Sequence, residues 1–187
     1  MKPVGWLLRK YFAMGWLVLG QRDAAGKVFE TMLLIDANDT YALASRAQLA
    51  VHRGHKTAAL TDMKRLCELS GNSAHAWYNY GYLLNDCGHI DQAEAMFKKA
   101  LVLCPKLDLA WYGLSLVHIR QKRYDEAVAS LKQNTQLQPM SPYGWYHLAR
   151  VHMDRQQPDE ARRVIAHLRA FEPKVADQLV RETGLIA

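Results

Sequence analysis

The residues with chemical potential are few, and their spacing builds no reaction centre. Among the eight histidines, His52 and His55 stand about one helical turn apart and could offer two imidazole nitrogens to a metal. No Cys or carboxylate lies beside them at ligand spacing, and no His-Glu-x-x-His occurs, so no metal is expected. Cys67, Cys87 and Cys104 contain no Cys-x-x-Cys and read as buried or turn thiols rather than a redox pair. Gly15-x4-Gly20 has the glycine spacing of a phosphate loop, but Gln21-Arg22 follows where Lys-Ser/Thr is required. That segment is also expected to lie inside the first helix. No Gly-x-Ser-x-Gly elbow is present, and the paired carboxylates fall at helix starts or turns. The sequence therefore predicts neither an enzyme nor a cofactor.

Bulk composition sets the class. The chain has 187 residues, of which 50% are hydrophobic and 22% charged, a globular balance. Lys and Arg number 24 against 18 acidic residues, giving a net charge of +6. Three cysteines, an odd count, argue against a secreted disulfide framework and for a reducing compartment. Lys2 and the apolar run 12–19 loosely resemble a signal peptide. Arg9 and Lys10 interrupt the apolar stretch, however, and Gln21-Arg22-Asp23 replaces a small-residue cleavage site. The expected location is cytoplasmic, where the sequon at Asn38 carries no meaning.

What the chemistry lacks, the periodicity supplies. Ala25, Ala59, Ala93, Ala127 and Ala161 recur with a step of 34 residues. Pro105, Pro139 and Pro173 share that step, as do the pairs Trp77-Tyr78, Trp111-Tyr112 and Trp145-Tyr146. Four residues after each alanine stands a large apolar side chain: Phe29, Met63, Phe97, Leu131 and Ile165. His118 and His152 are also 34 apart, and interhelical packing is the role read for both. Within one unit, Trp77, Tyr80, Gly81 and Leu84 share a helical face, which predicts a helix over 74–86. Cys87-Gly88-His89 is then a turn, Asp91 opens a second helix, and Pro105 breaks the chain before the next unit.

A period of 34 with the order Trp-x2-Leu-Gly-x2-Tyr, Ala-x3-Phe, Pro resembles the tetratricopeptide repeat. The match is best over Trp77 to Pro105. It is close in the next two units, where Ser115 and Ala149 stand in place of the close-packing Gly. The resemblance implies an all-α fold, a right-handed α-solenoid of about five helix-turn-helix units. The units fall at 6–39 (degenerate, with Arg9 at the Trp position), 40–73, 74–107, 108–141 and 142–175. A capping helix is expected over 176–187, with Val175, Leu179 and Val180 on one side and Gly184 as its stop.

In proteins of this resemblance the ligand site is the concave surface, lined by the second, fifth, ninth and twelfth positions of each first helix. Those positions hold Tyr41, Ala44, Gln48 and Val51, then His75, Tyr78, Tyr82 and Asn85. They continue with Leu109, Tyr112, Leu116 and Ile119, and end with Tyr143, Tyr146, Arg150 and Met153. Tyr and aliphatic residues dominate, which suits an extended peptide or partner helix. Tyr78, Tyr112 and Tyr146 also follow the repeat consensus, which explains them equally well. The Lys and Asn of carboxylate-gripping members are missing: Tyr78, Tyr82, Tyr112 and Leu116 occupy the corresponding positions. An apolar or mixed segment is therefore expected rather than an acidic tail.

The leading expectation is a non-catalytic scaffold or adaptor for protein partners. A client-sequestering chaperone of a secretion or assembly system is the first alternative. The second is attachment to a membrane surface through residues 6–17, where Trp6, Leu7, Leu8, Phe12, Trp16 and Leu17 accompany Arg9 and Lys10. Self-association through the apolar first unit is also open. Nucleic acid is not expected, because only the second unit, with Arg46, Arg53, Lys56, Lys64 and Arg65, concentrates positive charge.

Overall fold

The computed structural model describes residues 4–185; Lys2 and the last two residues of the expected cap lie outside that range. The described residues form eleven helices and no strand. In chain order they are α1 Val4–Val18, α2 Arg22–Ile35, α3 Thr40–His52, α4 Lys56–Leu69, α5 Ala74–Asp86 and α6 Ile90–Leu103. Then follow α7 Asp108–Arg120, α8 Tyr124–Leu137, α9 Pro142–Asp154, α10 Pro158–Arg169 and α11 Pro173–Thr183. Each odd-numbered helix up to α9 packs on its successor as an antiparallel pair, and each pair packs on the next.

The turn inside each pair repeats as strictly as the helices. A left-handed residue sits at Gly20, Gly54 and Gly88, with φ of 73°, 76° and 83°. Lys122 and Gln156 take the same place in the last two pairs, at φ of 57° and 58°. These five positions are again 34 apart. At each one the next amide bonds back to a carbonyl in the last turn of the preceding helix, as His89 does to Leu84 at 2.9 Å and Arg123 to His118 at 2.9 Å. This is a Schellman-type end, which requires a residue in the left-handed region. Gly20 thus stands beyond the end of α1, not inside it as the sequence suggested.

Burial explains the alanine period. All five repeat alanines are 0% exposed, as are Phe29, Phe97, Leu131 and Ile165. A methyl group at the crossing point lets the second helix come close, and the large residue one turn later fills the space beside it. The Trp–Pro period has an equally direct cause. The indole N–H of Trp111 donates to the Pro105 carbonyl at 2.9 Å, and Trp145 donates to Pro139 at 2.8 Å. Trp77 makes the same bond, six residues back, to Gly71 at 2.9 Å.

Close backbone approach moves from the expected position after α5. A Cβ at Gly81 would lie 3.0 Å from the Phe97 ring, and one at Gly113 only 2.6 Å from it. Gly113, two residues before Ser115, therefore gives the fourth unit its close contact. Gly144 does so in the fifth, against Asn134 and Thr135. Both His118 and His152 are buried, held by Ser130 and Gln157 respectively. At the C-terminal end α11 buries Ala176 and Leu179, with Val175 and Val180 partly covered, and Gly184 ends it at φ 70°.

Candidate functional site

The first helices of the pairs carry the expected groove positions. α5 touches α7, and α9 touches α11, so these helices run side by side along one face. Tyr78 and Tyr82, one turn apart on α5, have ring centroids 6.4 Å apart. Tyr78 leans on Phe97 at 5.9 Å, which fixes its ring against the core. Burial pushes the Tyr78 phenol up from its ordinary value, and the neighbouring Tyr82 and Tyr112 add to this. Tyr112 is raised by burial and then by Tyr143 and Tyr82. Tyr78 and Tyr82 of α5, Tyr112 of α7 and Tyr143 of α9 thus neighbour one another, each with a hydroxyl able to donate a hydrogen bond. Tyr82 and Tyr143 are the open members, 56% and 69% exposed, while Tyr78 and Tyr112 form their half-buried floor.

Beside this cluster a cavity of about 300 Å³ opens between α3 and α5, lined by Ala44, Gln48, Val51, Met63, Tyr82 and Asp86. Its walls are largely apolar, with Gln48, Asn79 and Asp86 as the polar residues. Lys56 closes one edge through an ion pair with Asp86 at 2.7 Å. His75 is exposed on the first turn of α5, and Leu116 and Ile119 are partly covered on α7.

Four expected groove residues, Asn85, Tyr41, Tyr146 and Arg150, are buried or engaged within the protein. Asn85 is withdrawn by burial, at 7% exposed, and its backbone carbonyl accepts from Arg120 at 2.8 Å. Tyr41 packs edge-on against Trp6 and Phe29, both at 5.9 Å, and Lys10 sits 4.9 Å over its ring. It joins the first pair to the second. Tyr146 donates from its hydroxyl to Glu182 at 2.7 Å, and Arg150 pairs with the same oxygen at 2.9 Å. Glu182 comes from α11, outside the repeated unit, so no periodicity could have announced it. Its carboxyl is held below the usual range by the Tyr146 and Gln178 hydrogen bonds, with Arg150 also contributing. His147 is a second residue that the periodicity passed over. It stands between Tyr112 and Tyr146 at 5.7 Å and 5.4 Å, and burial, then Arg150, lowers its pKa.

Four cations of the basic second unit form ion pairs, two within the unit and two with its neighbours. Arg46 grips Asp62 through two nitrogens, at 2.8 Å and 2.7 Å. Arg53 pairs with Asp23, Lys56 with Asp86, and Arg65 with Glu68. Among the described residues no three His, Cys, Asp or Glu side chains gather as metal ligands. No described helix is long and apolar enough to cross a membrane.

Comparison with known proteins places this geometry. Two tetratricopeptide repeat models match the chain, one over residues 74–117 and the other over 118–181. No protein of curated function matches it in sequence. Among solved structures, MamA (residues 41 to the end) from Desulfovibrio magneticus RS-1 superposes with a TM-score of 0.82, at 17% identity over 89% of this chain and 94% of its own. PilW, described as a widely conserved type IV pilus biogenesis factor, gives 0.78 at 20% identity, covering 98% of this chain and 88% of that one. YrrB, described as a TPR protein with an unusual peptide-binding site, gives 0.79 at 14% identity, covering 92% and 90%. At these identities the likeness is one of fold. The repeated helix pairs, their 34-residue period and the two family matches agree: this chain belongs to the tetratricopeptide repeat family.

Proposed function

We propose that this chain is a non-catalytic interaction scaffold whose first helices bind an extended or helical segment of a partner protein. The observation that carries this reading is the pair Tyr78 and Tyr82 on α5, with exposed Tyr143 on a later first helix, beside a mainly apolar cavity of about 300 Å³ that Tyr82 lines. Tyrosine offers wide apolar contact and a hydroxyl at low entropic cost, and such residues dominate binding hot spots. The cavity accepts an aliphatic side chain of the partner, and the phenols bond its backbone carbonyls. Lys56, the cation whose charge reaches Tyr82, is held by Asp86 at 2.7 Å rather than left for a carboxylate, so the segment is apolar or mixed. The likeness in fold to a peptide-binding repeat protein agrees with this.

Affinity capture tests it, comparing the intact chain with Tyr82→Ala/Tyr143→Ala. Both side chains are exposed, so circular dichroism of the variant should match the parent. Partners retained by the intact chain and lost by the variant support the groove. Identical partners on both would move the binding surface elsewhere.

A further inference from the structure

The outer face of α1 is apolar along its whole length. At 3.6 residues per turn, Val4, Leu8, Tyr11, Gly15 and Val18 fall along one line, with Leu7, Phe12 and Leu19 beside it. Phe12, Tyr11, Leu19 and Val18 are 64%, 65%, 70% and 86% exposed, whereas Ala13 on the opposite side is 0% exposed. A shallow recess of about 400 Å³ lies on this face, between Leu8, Tyr11, Phe12, Trp16 and Leu19. The two charged residues of α1, Arg9 and Lys10, flank Ala13 at the two rims where the apolar arc meets the body of the protein. Arg9 folds back on the Gly5 carbonyl at 3.0 Å, and Lys10 lies over Trp6 and Tyr41. The first acidic residue of the chain is Asp23, so four cations and no carboxylate precede it.

Two occupants fit an apolar helical face, and charge and area separate them. A 15-residue helix is about 22 Å long and about 10 Å wide, so pairing two copies face to face buries on the order of 500 Å². Stable interfaces bury at least about 1,200 Å². Such a pair would also place no acidic residue opposite Arg9 and Lys10, because α1 carries none. End-to-end stacking finds no apolar complement either, because the exposed residues of α11 include Lys174, Asp177, Gln178 and Arg181. An anionic lipid surface suits both features. The acyl boundary accepts Leu8, Phe12 and Val18, Tyr11 and Trp16 prefer the headgroup level, and Arg9 and Lys10 at the rims reach lipid phosphates.

We propose that α1 docks on anionic bilayers, lying along the headgroup boundary with its Val4–Leu8–Tyr11–Gly15–Val18 line toward the acyl chains. This goes beyond the groove and uses none of its residues. A helix of this length lies on a bilayer rather than across it.

Vesicle flotation of the full chain tests the proposal. Phosphatidylcholine vesicles containing phosphatidylserine should float about tenfold more protein than phosphatidylcholine alone, and added salt should reduce the difference. Leu8→Gln/Phe12→Gln, two outward-facing changes whose fold circular dichroism checks, should abolish flotation. Arg9→Gln should lower only the preference for the anionic vesicles. Tyr82→Ala/Tyr143→Ala should float like the parent. Failure of the intact chain to float, or equal flotation of Leu8→Gln/Phe12→Gln, overturns the proposal. A doubled mass in light scattering that Leu8→Gln/Phe12→Gln restores to monomer overturns it too, making the face a contact between copies.

Discussion

Gly113→Ala probes the packing that positions the tyrosines. A methyl there would stand 2.6 Å and 2.7 Å from Phe97 ring carbons, against about 3.5–4.0 Å for an ordinary carbon contact. The ring has little room to retreat, because it is 0% exposed and also lies close to Gly81. Overpacking of this kind costs about 1–3 kcal/mol, and a fully enclosed ring puts it near the upper end. Replacing Gly by Ala within α7 returns about 1 kcal/mol through helix propensity. The net loss is about 1–2 kcal/mol, which lowers Tm by about 2–8 °C in a chain of this size. Gly15→Ala is the matched control: nothing lies within 4 Å of that Cβ, so propensity acts alone. Its Tm should rise by about 2–4 °C, from about 1 kcal/mol gained. Phe97→Leu should cost less in the Gly113→Ala background than in the parent, a coupling of about 1 kcal/mol. Thermal unfolding followed at 222 nm by circular dichroism, to which the eleven helices give a strong signal, reads the parent and all four variants. A Gly113→Ala Tm equal to or above the parent's would refute the wedged ring.

Three further outcomes follow from the same coordinates. Lys122 holds a left-handed conformation that costs a non-glycine residue about 1–2 kcal/mol, so Lys122→Gly should stabilise by about 0.5–1 kcal/mol in urea unfolding, with glycine's own entropy offsetting the rest. Burial alone would push the Glu94 carboxyl up, but hydrogen bonds and charges from Lys98 and Arg123 outweigh it and hold its pKa at about 2. Its contribution is present above the usual carboxylate range and is lost as pH falls toward about 2, so Glu94→Gln should show a smaller acid-induced drop in Tm than the parent. Burial pushes the Cys67 thiol up to about 12, and Cys87 and Cys104 are less covered. A thiol reagent at mildly alkaline pH should therefore modify those two in the native state and reach Cys67 only on unfolding.

Legibility in the sequence follows the physics of repetition. The 34-residue alanine and proline steps exposed the helix pairs because each step marks a contact made within a pair or at its junction. Ala93, Phe97 and Trp111 do the same work wherever they recur. The left-handed turn was legible at Gly88 and hidden at Lys122 and Gln156, where the backbone keeps its conformation without glycine. Gly113 was hidden for a related reason: which residue faces Phe97 depends on how α7 is rotated on its neighbour, and no spacing rule carries that angle. In the groove, Tyr78, Tyr82, Tyr112 and Tyr143 come together because they share one face of adjacent first helices. Tyr41 and Tyr146 are drawn away by partners that break the repeat, Trp6 on α1 and Glu182 on α11, while Asn85 is buried at the end of α5. Those partners lie in the terminal units or at a helix end, where the period no longer constrains the neighbours.

The central claim, that the four-tyrosine surface recognises an apolar or mixed segment, is tested most directly by selecting a displayed random-peptide library on the intact chain. Fluorescence polarisation then gives Kd for the enriched peptides on intact protein and on Tyr82→Ala/Tyr143→Ala. The account predicts sequences with aliphatic anchors and no acidic C-terminal preference, bound at least about tenfold more weakly by the variant, the loss of about 1.4 kcal/mol expected from one removed hot spot. Enriched acidic tails, or peptides that bind the variant as tightly as the parent, would contradict it.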